Sequence, residues 1–377
     1  MAGIYIHIPF CRKRCNYCDF FKTTQLLRKT ELIETLVMEL NYRKEELTGE
    51  QIETIYFGGG TPSLLTEDEI NKVIDTIYKQ YNVSESPEIT LEANPDDLTQ
   101  QKLNNLKNTP VNRLSVGIQS FQDTHLQLMN RRHNSNQAIN CIKLAQDKGY
   151  TNISTDLIYG LPDLTLQLWQ QNLEQMAELK IQHLSAYHLT YEEGTVFDTM
   201  LKNKALFPIT EEESIAQFKY LIEWAASQGF EHYEISNFAL PGYYSKHNTS
   251  YWQQKKYLGI GPSAHSYDLN TRRWNVSNLE KYLAGVHAKT RYFETEELTL
   301  IDTFNEFLMT RLRTRWGVNF SEVKSIFGEV RLAELKKQAE KFISGGSLYL
   351  KEDNLILTDE GIFISDSIIS DLMILPV

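Results

Sequence analysis

The chain has 377 residues, with 38 Lys and Arg against 49 Asp and Glu, a formal charge of −11, and 41% hydrophobic and 23% charged residues. That length can bury a sizeable core without disulfides and suggests two or three domains. The acidic balance argues against a chain built mainly to hold nucleic acid; no apolar run nears the roughly 20 residues that span a bilayer, and the run in MAGIYIHIPFC is too short for a signal-peptide core and is interrupted by His7. The expectation is a cytoplasmic protein with at most peripheral membrane contact.

The first half alternates strand and helix. IYIHI reads as a strand followed by a cysteine-bearing loop, and residues 26–47 place Leu32, Ile33, Leu36, Val37 and Leu40 at helical spacing. IETIYF is a second strand, ended by GGGTPS, and EDEINKVIDTIYKQY is a helix with acidic residues at its start, where the dipole favours them. EITLEANP, VNRLSVGIQS, NISTDLIYGLP and QHLSAYHLTY read as four more strands, separated by helices over 96–108, 123–148 and 166–180. Residues 210–228 look helical. The stretch 231–298, rich in Tyr, Asn, Gly and His, reads as an irregular connection. From 299 a separate unit of helices begins (FNEFLMTRLRTRWG, SEVKSIFG and RLAELKKQAEKFISGG), the third stopped by a Gly pair. LYLKEDNLIL then alternates like a hairpin, and GIFISDSIISDLM is a last helix.

Successive strand–helix units imply parallel strands joined by right-handed crossovers. Polar or Gly-rich residues gather where nearly every strand ends: the cysteines, Gly58–Thr61, Glu92 with Asn94, Gln119, and His188 with Thr190, while Asp156 lies within the fifth strand. A barrel collects such ends into one mouth. The expected fold is therefore α/β, an incomplete (βα)6 TIM-like barrel over residues 1–230 with an open side, then the 231–298 segment, then a C-terminal helical, winged-helix-like domain over 299–377. Winged helices often bind DNA, but the fold alone does not license that function.

Three of the four cysteines fall close together as Cys11-Arg-Lys-Arg-Cys15-Asn-Tyr-Cys18. Clustered cysteines in a reducing compartment more often hold a metal than a disulfide. Structural zinc wants a fourth protein ligand, for which His7 is the nearest imidazole. A four-iron cluster normally takes four thiolates, so with three one iron is left open for a ligand or for chemistry. The neighbouring Arg12, Lys13 and Arg14 can ease the cluster's negative charge or dock an acidic electron donor, and they can equally be a solvated loop. Cys141, in a helical pattern with apolar neighbours, reads as a core thiol.

CxxxCxxC after a first barrel strand is the signature of the radical S-adenosylmethionine superfamily, which this chain resembles. The resemblance implies a [4Fe–4S] cluster on Cys11, Cys15 and Cys18, with the amino and carboxylate groups of S-adenosylmethionine on the open iron. GGGTP is similar to the superfamily's methionine-binding segment. Within the superfamily, YIHIPFC, CNYCDF, FGGGTP, GIQSF and DLIYGLP resemble the oxygen-independent coproporphyrinogen oxidase-like family over nearly the whole chain. That resemblance implies S-adenosylmethionine contacts at Tyr5, Tyr17, Gly59, Gly60, Thr61, Glu92, Gln119, Arg131 and Asp156. The oxidases carry a further cysteine two residues after the third, where this chain has Phe20, and they carry an extension ahead of the first strand. Both departures resemble the haem-chaperone (HemW) branch of the family, as does HNxxYW, here His247-Asn248-Thr249-Ser250-Tyr251-Trp252. The residues of this motif by themselves read as a turn with buried aromatics and a satisfied His; the branch implies haem binding, with His247, Tyr251 and Trp252 as candidate contacts, and transfer of haem to acceptor proteins. The alternatives are an oxygen-independent coproporphyrinogen oxidase, another radical enzyme, or a DNA-binding regulator with an iron–sulfur sensor.

Overall fold

The computed structural model describes residues 1–374. Six strands, β1 (Ala2–Ile8), β2 (Ile52–Gly59), β3 (Val83–Ala93), β4 (Arg113–Gln119), β5 (Ile153–Tyr159) and β6 (His183–His188), lie side by side in chain order. Every neighbouring pair among them is parallel. In β1 the alternation sorts the two faces: Ile4, Ile6 and Ile8 are fully buried in the main core that also takes Leu32, Leu36 and Leu40 of helix Lys29–Tyr42. Each such isoleucine contributes about 1.5–3 kcal/mol relative to exposure. Tyr5 and His7 therefore face the other way, into the sheet's concave side.

Two sequence features set the helix boundaries near the mouth. Thr66 and Glu69 form a capping box that starts helix Glu67–Gln80. The stretch 123–148 is two helices, Asp123–Leu128 and Ser135–Asp147, parted at Asn130, whose φ is 61°. The break leaves Arg131 in a loop at the mouth.

Residues 231–298 differ from the irregular segment expected. They form β7 (Glu231–Glu234), β8 (Asn237–Ala239), β9 (Tyr257–Ile260), β10 (His265–Tyr267), β11 (Thr271–Asn275) and β12 (Phe293–Glu297), with helices Lys246–Trp252 and Leu279–Ala288. β8 pairs antiparallel with β6, and β9 pairs parallel with β1, so the sheet is extended at both edges. For residues 259–282 the physical reason is a buried ionic network that short polar runs do not announce. Glu39 accepts from Arg43 at 3.0 Å, Asn275 at 2.8 Å, Tyr282 at 2.5 Å and the Gly261 backbone at 2.9 Å. Arg43 also donates to the Gly259 carbonyl and to Ser266. One helical carboxylate thus ties down β9 to β11 and the helix behind them.

The C-terminal unit has its own core, with helices Leu300–Leu312, Phe320–Phe327 and Glu329–Ser344 against a small sheet of β13 (Val318–Asn319), β15 (Asn354–Leu357) and β14 (Leu348–Lys351). This is the winged-helix-like arrangement expected. The expected last helix is two short ones, Asp359–Ile362 and Ser365–Leu372. Among the described residues no helix is long and apolar enough to cross a membrane.

Candidate metal and cofactor site

The cysteine loop leaves β1 and is pinned on several sides. Cys11 N–H donates to Thr23 O and Thr23 N–H to Pro9 O, which closes the loop's base. Asn16 donates through its side chain to Leu128 O at 2.8 Å and through its backbone to Met129 O, and Asn130 donates to Arg14 O at 2.7 Å. The helix break thereby holds the loop that carries Cys15 and Cys18. Cys11 is buried, while Cys15 and Cys18 are half-buried.

A chain of hydrogen bonds links two of the three sulfurs. Thr61 Oγ1 donates to Cys11 Sγ at 3.4 Å and accepts from Asn94 Nδ2 at 3.3 Å. Asn94 Oδ1 accepts from Arg131 at 2.7 Å, and Arg131 donates to Cys15 Sγ at 3.4 Å and to Gly117 O at 2.6 Å. Lys22 Nζ meets the Cys18 carbonyl. Burial pushes the Cys11 and Cys18 thiols above their ordinary pKa, opposed by the Thr61 hydroxyl at Cys11 and by Lys22 at Cys18. Removing water thus disfavours bare thiolates here, and a bound metal would supply the missing positive charge.

The glycine segment approaches this loop by backbone. Gly60 N–H donates to Ile8 O at 2.8 Å, and a Cβ at Gly60 would stand 2.7 Å from the Pro9 carbonyl carbon. Gly59 has φ 107° with the His7 ring where a Cβ would go, so both positions require glycine. Gly59 N–H donates to Glu92 Oε2 at 3.0 Å and Tyr56 Oη to Glu92 Oε1 at 2.9 Å. Burial raises the Glu92 pKa to about 7 against these two bonds, and it raises that of Asp156 to about 6. Neither carboxylate has a cation at salt-bridge distance among the described residues, though Arg113 nearby opposes the rise of both and Arg131 opposes that of Asp156. Gln119 ends β4 with φ 72° and is buried. Tyr17 is half-buried, with its pKa raised by burial and opposed by Arg131.

The expected contacts on β2 to β4 therefore lie toward one end of the parallel strands, with Tyr5 and Asp156 deeper, opposite Tyr56 of β2 and Ser185 of β6. Asn94, which follows the last residue of β3, closes the bridge between Thr61 and Arg131, and its place two residues after Glu92 is the sequence signal that marks it. Lys22 and Asn16 carried no signal, because their partners come from folding.

The donor set fits an iron–sulfur cluster better than structural zinc. Among the described residues no three His, Cys, Asp or Glu side chains close on a single ion. His7 is engaged, with Nδ1 hydrogen-bonded to Tyr5 Oη at 3.0 Å and Nε2 to Phe21 O at 3.1 Å. Two carboxylates that no cation reaches at salt-bridge distance among the described residues suit a ligand bearing an ammonium or sulfonium, and the buried Arg131 Nε has no partner among the described residues.

The HNxxYW segment lies behind this wall. His247 is buried on helix Lys246–Trp252, hydrogen-bonded through Nδ1 to Thr54 Oγ1 at 2.7 Å and through Nε2 to Tyr251 Oη at 2.8 Å. Its ring stacks on Tyr56 at 5.0 Å, and burial lowers its pKa to about 3. Tyr251 and Trp252 are half-buried. Tyr251 helps to line a cavity of about 440 Å³ that begins at the cysteine loop with Phe20 and Phe21, passes Tyr5, and is walled by Tyr257, His265 and Tyr267.

Comparison with known proteins gives the following. Residues 5–176 match the family model "Radical SAM superfamily", and residues 298–364 match "HemN C-terminal domain". The chain is 34% identical to the Bacillus subtilis "Heme chaperone HemW", over 96% of each protein. It is 31% identical to the Lactococcus lactis "Heme chaperone HemW", over 98% of this chain and 97% of the relative. The structure of coproporphyrinogen III oxidase (HemN) from Escherichia coli superposes with a TM-score of 0.86 at 22% identity, covering 99% of this chain and 90% of that one, a likeness of fold.

Proposed function

We propose that this chain, which belongs to the HemW family within the radical S-adenosylmethionine superfamily, is a haem chaperone. It binds haem, carries a [4Fe–4S] cluster and exchangeable S-adenosylmethionine, and passes haem to acceptor proteins. The observation that carries the reading is the adjacency of two features: a loop of three thiols, with no metal-holding group of His, Cys, Asp or Glu among the described residues, opening beside an aromatic-walled cavity.

Cys11, Cys15 and Cys18 are the residues to hold the cluster. When bound, such a cluster offers one open iron to the amino-acid end of S-adenosylmethionine and a source of one electron. The chain's own groups do the positioning. Thr61 and Arg131 donate to the sulfurs and would favour their anionic form. The Gly59–Gly60 backbone admits close approach, and Glu92 and Asp156 supply negative charge for a cationic ligand. Tyr5 lines the neighbouring cavity, and Tyr17 and Gln119 are further candidate contacts to S-adenosylmethionine.

Arg12, Lys13 and Arg14 are exposed on the loop over these thiols, which supports docking of an acidic electron donor there. The net charge of −11 supports a protein that does not hold nucleic acid. We place the chain in the cytoplasm, with at most peripheral membrane contact. Titrating the anaerobically prepared, cluster-loaded protein with haem tests the central claim: a saturable change in the Soret band is expected, and its absence ends the reading.

A further inference from the structure

The haem-carrying reading leaves open which side chain meets the iron. HNxxYW directs attention to His247, and the structure directs it elsewhere. Both His247 ring nitrogens are taken, by Thr54 and Tyr251, and the ring is buried between aromatic neighbours. Ligation there would leave a buried hydroxyl unpartnered and would have to expel the ring from its stack.

The other histidines sort by the same criterion. Of the nine in the sequence, His7, His133, His183, His232 and His287 also hydrogen-bond protein groups. His125 is buried, and His188, though exposed, is not part of the cavity wall. His265 is exposed, lines the 440 Å³ cavity, and makes no side-chain hydrogen bond among the described residues. Its ring lies over Trp274, with centroids 6.1 Å apart and planes 23° apart, which fixes its orientation on β10. Desolvation at the cavity wall and then Arg272 lower its pKa, which favours the neutral imidazole, the form that donates a lone pair to a metal.

The rest of the wall suits a flat, largely apolar, anionic guest. Tyr5, Phe20, Phe21, Tyr251, Tyr257 and Tyr267 supply ring surface, and Phe20 is 66% exposed. Arg272 is the wall's cation. It is held by Glu306 at 2.6 Å through one nitrogen. Glu306 belongs to helix Leu300–Leu312, so the cavity is closed by the C-terminal unit on one side and the cluster loop on the other.

We propose that His265 is the protein ligand to haem iron, in the cavity between the cysteine loop and the C-terminal unit, and that His247 is a positioning residue that holds Tyr251 in the wall. The proposal rests on the haem-chaperone reading. The test is a haem titration of cluster-loaded wild type, His265→Ala, His247→Gln and His188→Ala, followed by absorption and electron paramagnetic resonance, with iron and sulfide measured in each. For His265→Ala the expected result is unchanged cluster content, a loss of haem affinity of about tenfold or more, loss of the imidazole-ligated signal, and recovery of that signal on adding free imidazole. His188→Ala should match wild type, and His247→Gln should keep the imidazole-ligated signal. An unaltered signal in His265→Ala, its loss in His247→Gln or His188→Ala alone, or failure of imidazole to restore it would overturn the assignment while leaving the chaperone reading intact. No Soret change in wild type would end that reading itself.

Discussion

The cysteine loop and the HNxxYW helix both bring metal-binding chemistry to the inner side of β1, and the fold leaves them in opposite states. The loop's sulfurs are touched lightly: Cys11 and Cys15 each receive one long hydrogen bond, from Thr61 and Arg131. His247 is saturated, with Thr54 on one nitrogen and Tyr251 on the other. A residue type shows what a side chain can bind, but the competing groups around it decide whether it is free to do so. One continuous loop keeps its ligands for a guest; a helix packed against β2 gives them to its neighbours.

The largest expected effect separates the two regions outright. Cys15→Ala should lose most of the iron and inorganic sulfide, because two thiolates cannot replace the third. Its thermal stability as the metal-free protein should stay close to that of the metal-free wild type, since Cys15 is only half-buried. Full cluster occupancy in the variant, by iron and sulfide analysis, would refute the loop as the cluster site.

His247→Ala should do the reverse. It opens a cavity beside Tyr5 and Tyr56 and strips partners from Thr54 and Tyr251. The expected destabilisation is about 2–4 kcal/mol, read from urea unfolding of the metal-free protein, with cluster loading retained in native buffer. If the variant is as stable as wild type, the His247 imidazole is not a structural centre and the two regions do not differ in that respect.

The sequence made the parallel strands and the cluster legible for the same reason. Ile4, Ile6 and Ile8 alternate with Tyr5 and His7, and the cysteines stand on one uninterrupted loop, so short-range spacing carries the geometry. Glu92 with Asn94, Gln119 and Asp156 were legible as residues on or at the ends of strands, though the bridge from Arg131 through Asn94 to Thr61 was not. The strands and helix over 259–282 escape the sequence because their order comes from Glu39 and Arg43, some two hundred residues upstream, and a helical Glu–Arg pair four apart looks like a solvated face. His247 likewise needed Thr54, which no local pattern can supply.

The same inner face offers a finer test, because burial moves its titrating groups in opposite directions. His247 is pushed down to about 3, so it is neutral between pH 5 and 8 and contributes no change there. Glu92 is pushed up to about 7 and Asp156 to about 6, so both gain protons as pH falls through that window. A protonated carboxyl no longer attracts an ammonium or sulfonium. S-adenosylmethionine binding to the cluster-loaded protein should therefore be tightest near pH 8 and weaken as pH falls, by up to about tenfold per unit for each carboxylate below its pKa. Glu92→Gln should weaken binding at pH 8 and remove the step near 7 while leaving the one near 6. Equilibrium dialysis at constant ionic strength, checked for intact cluster at each pH, measures this. Binding that is flat from pH 5 to 8 would mean that the two carboxylates do not face the ligand's charge, and the contrast between an open loop side and a closed helix side would then rest on the cysteines alone.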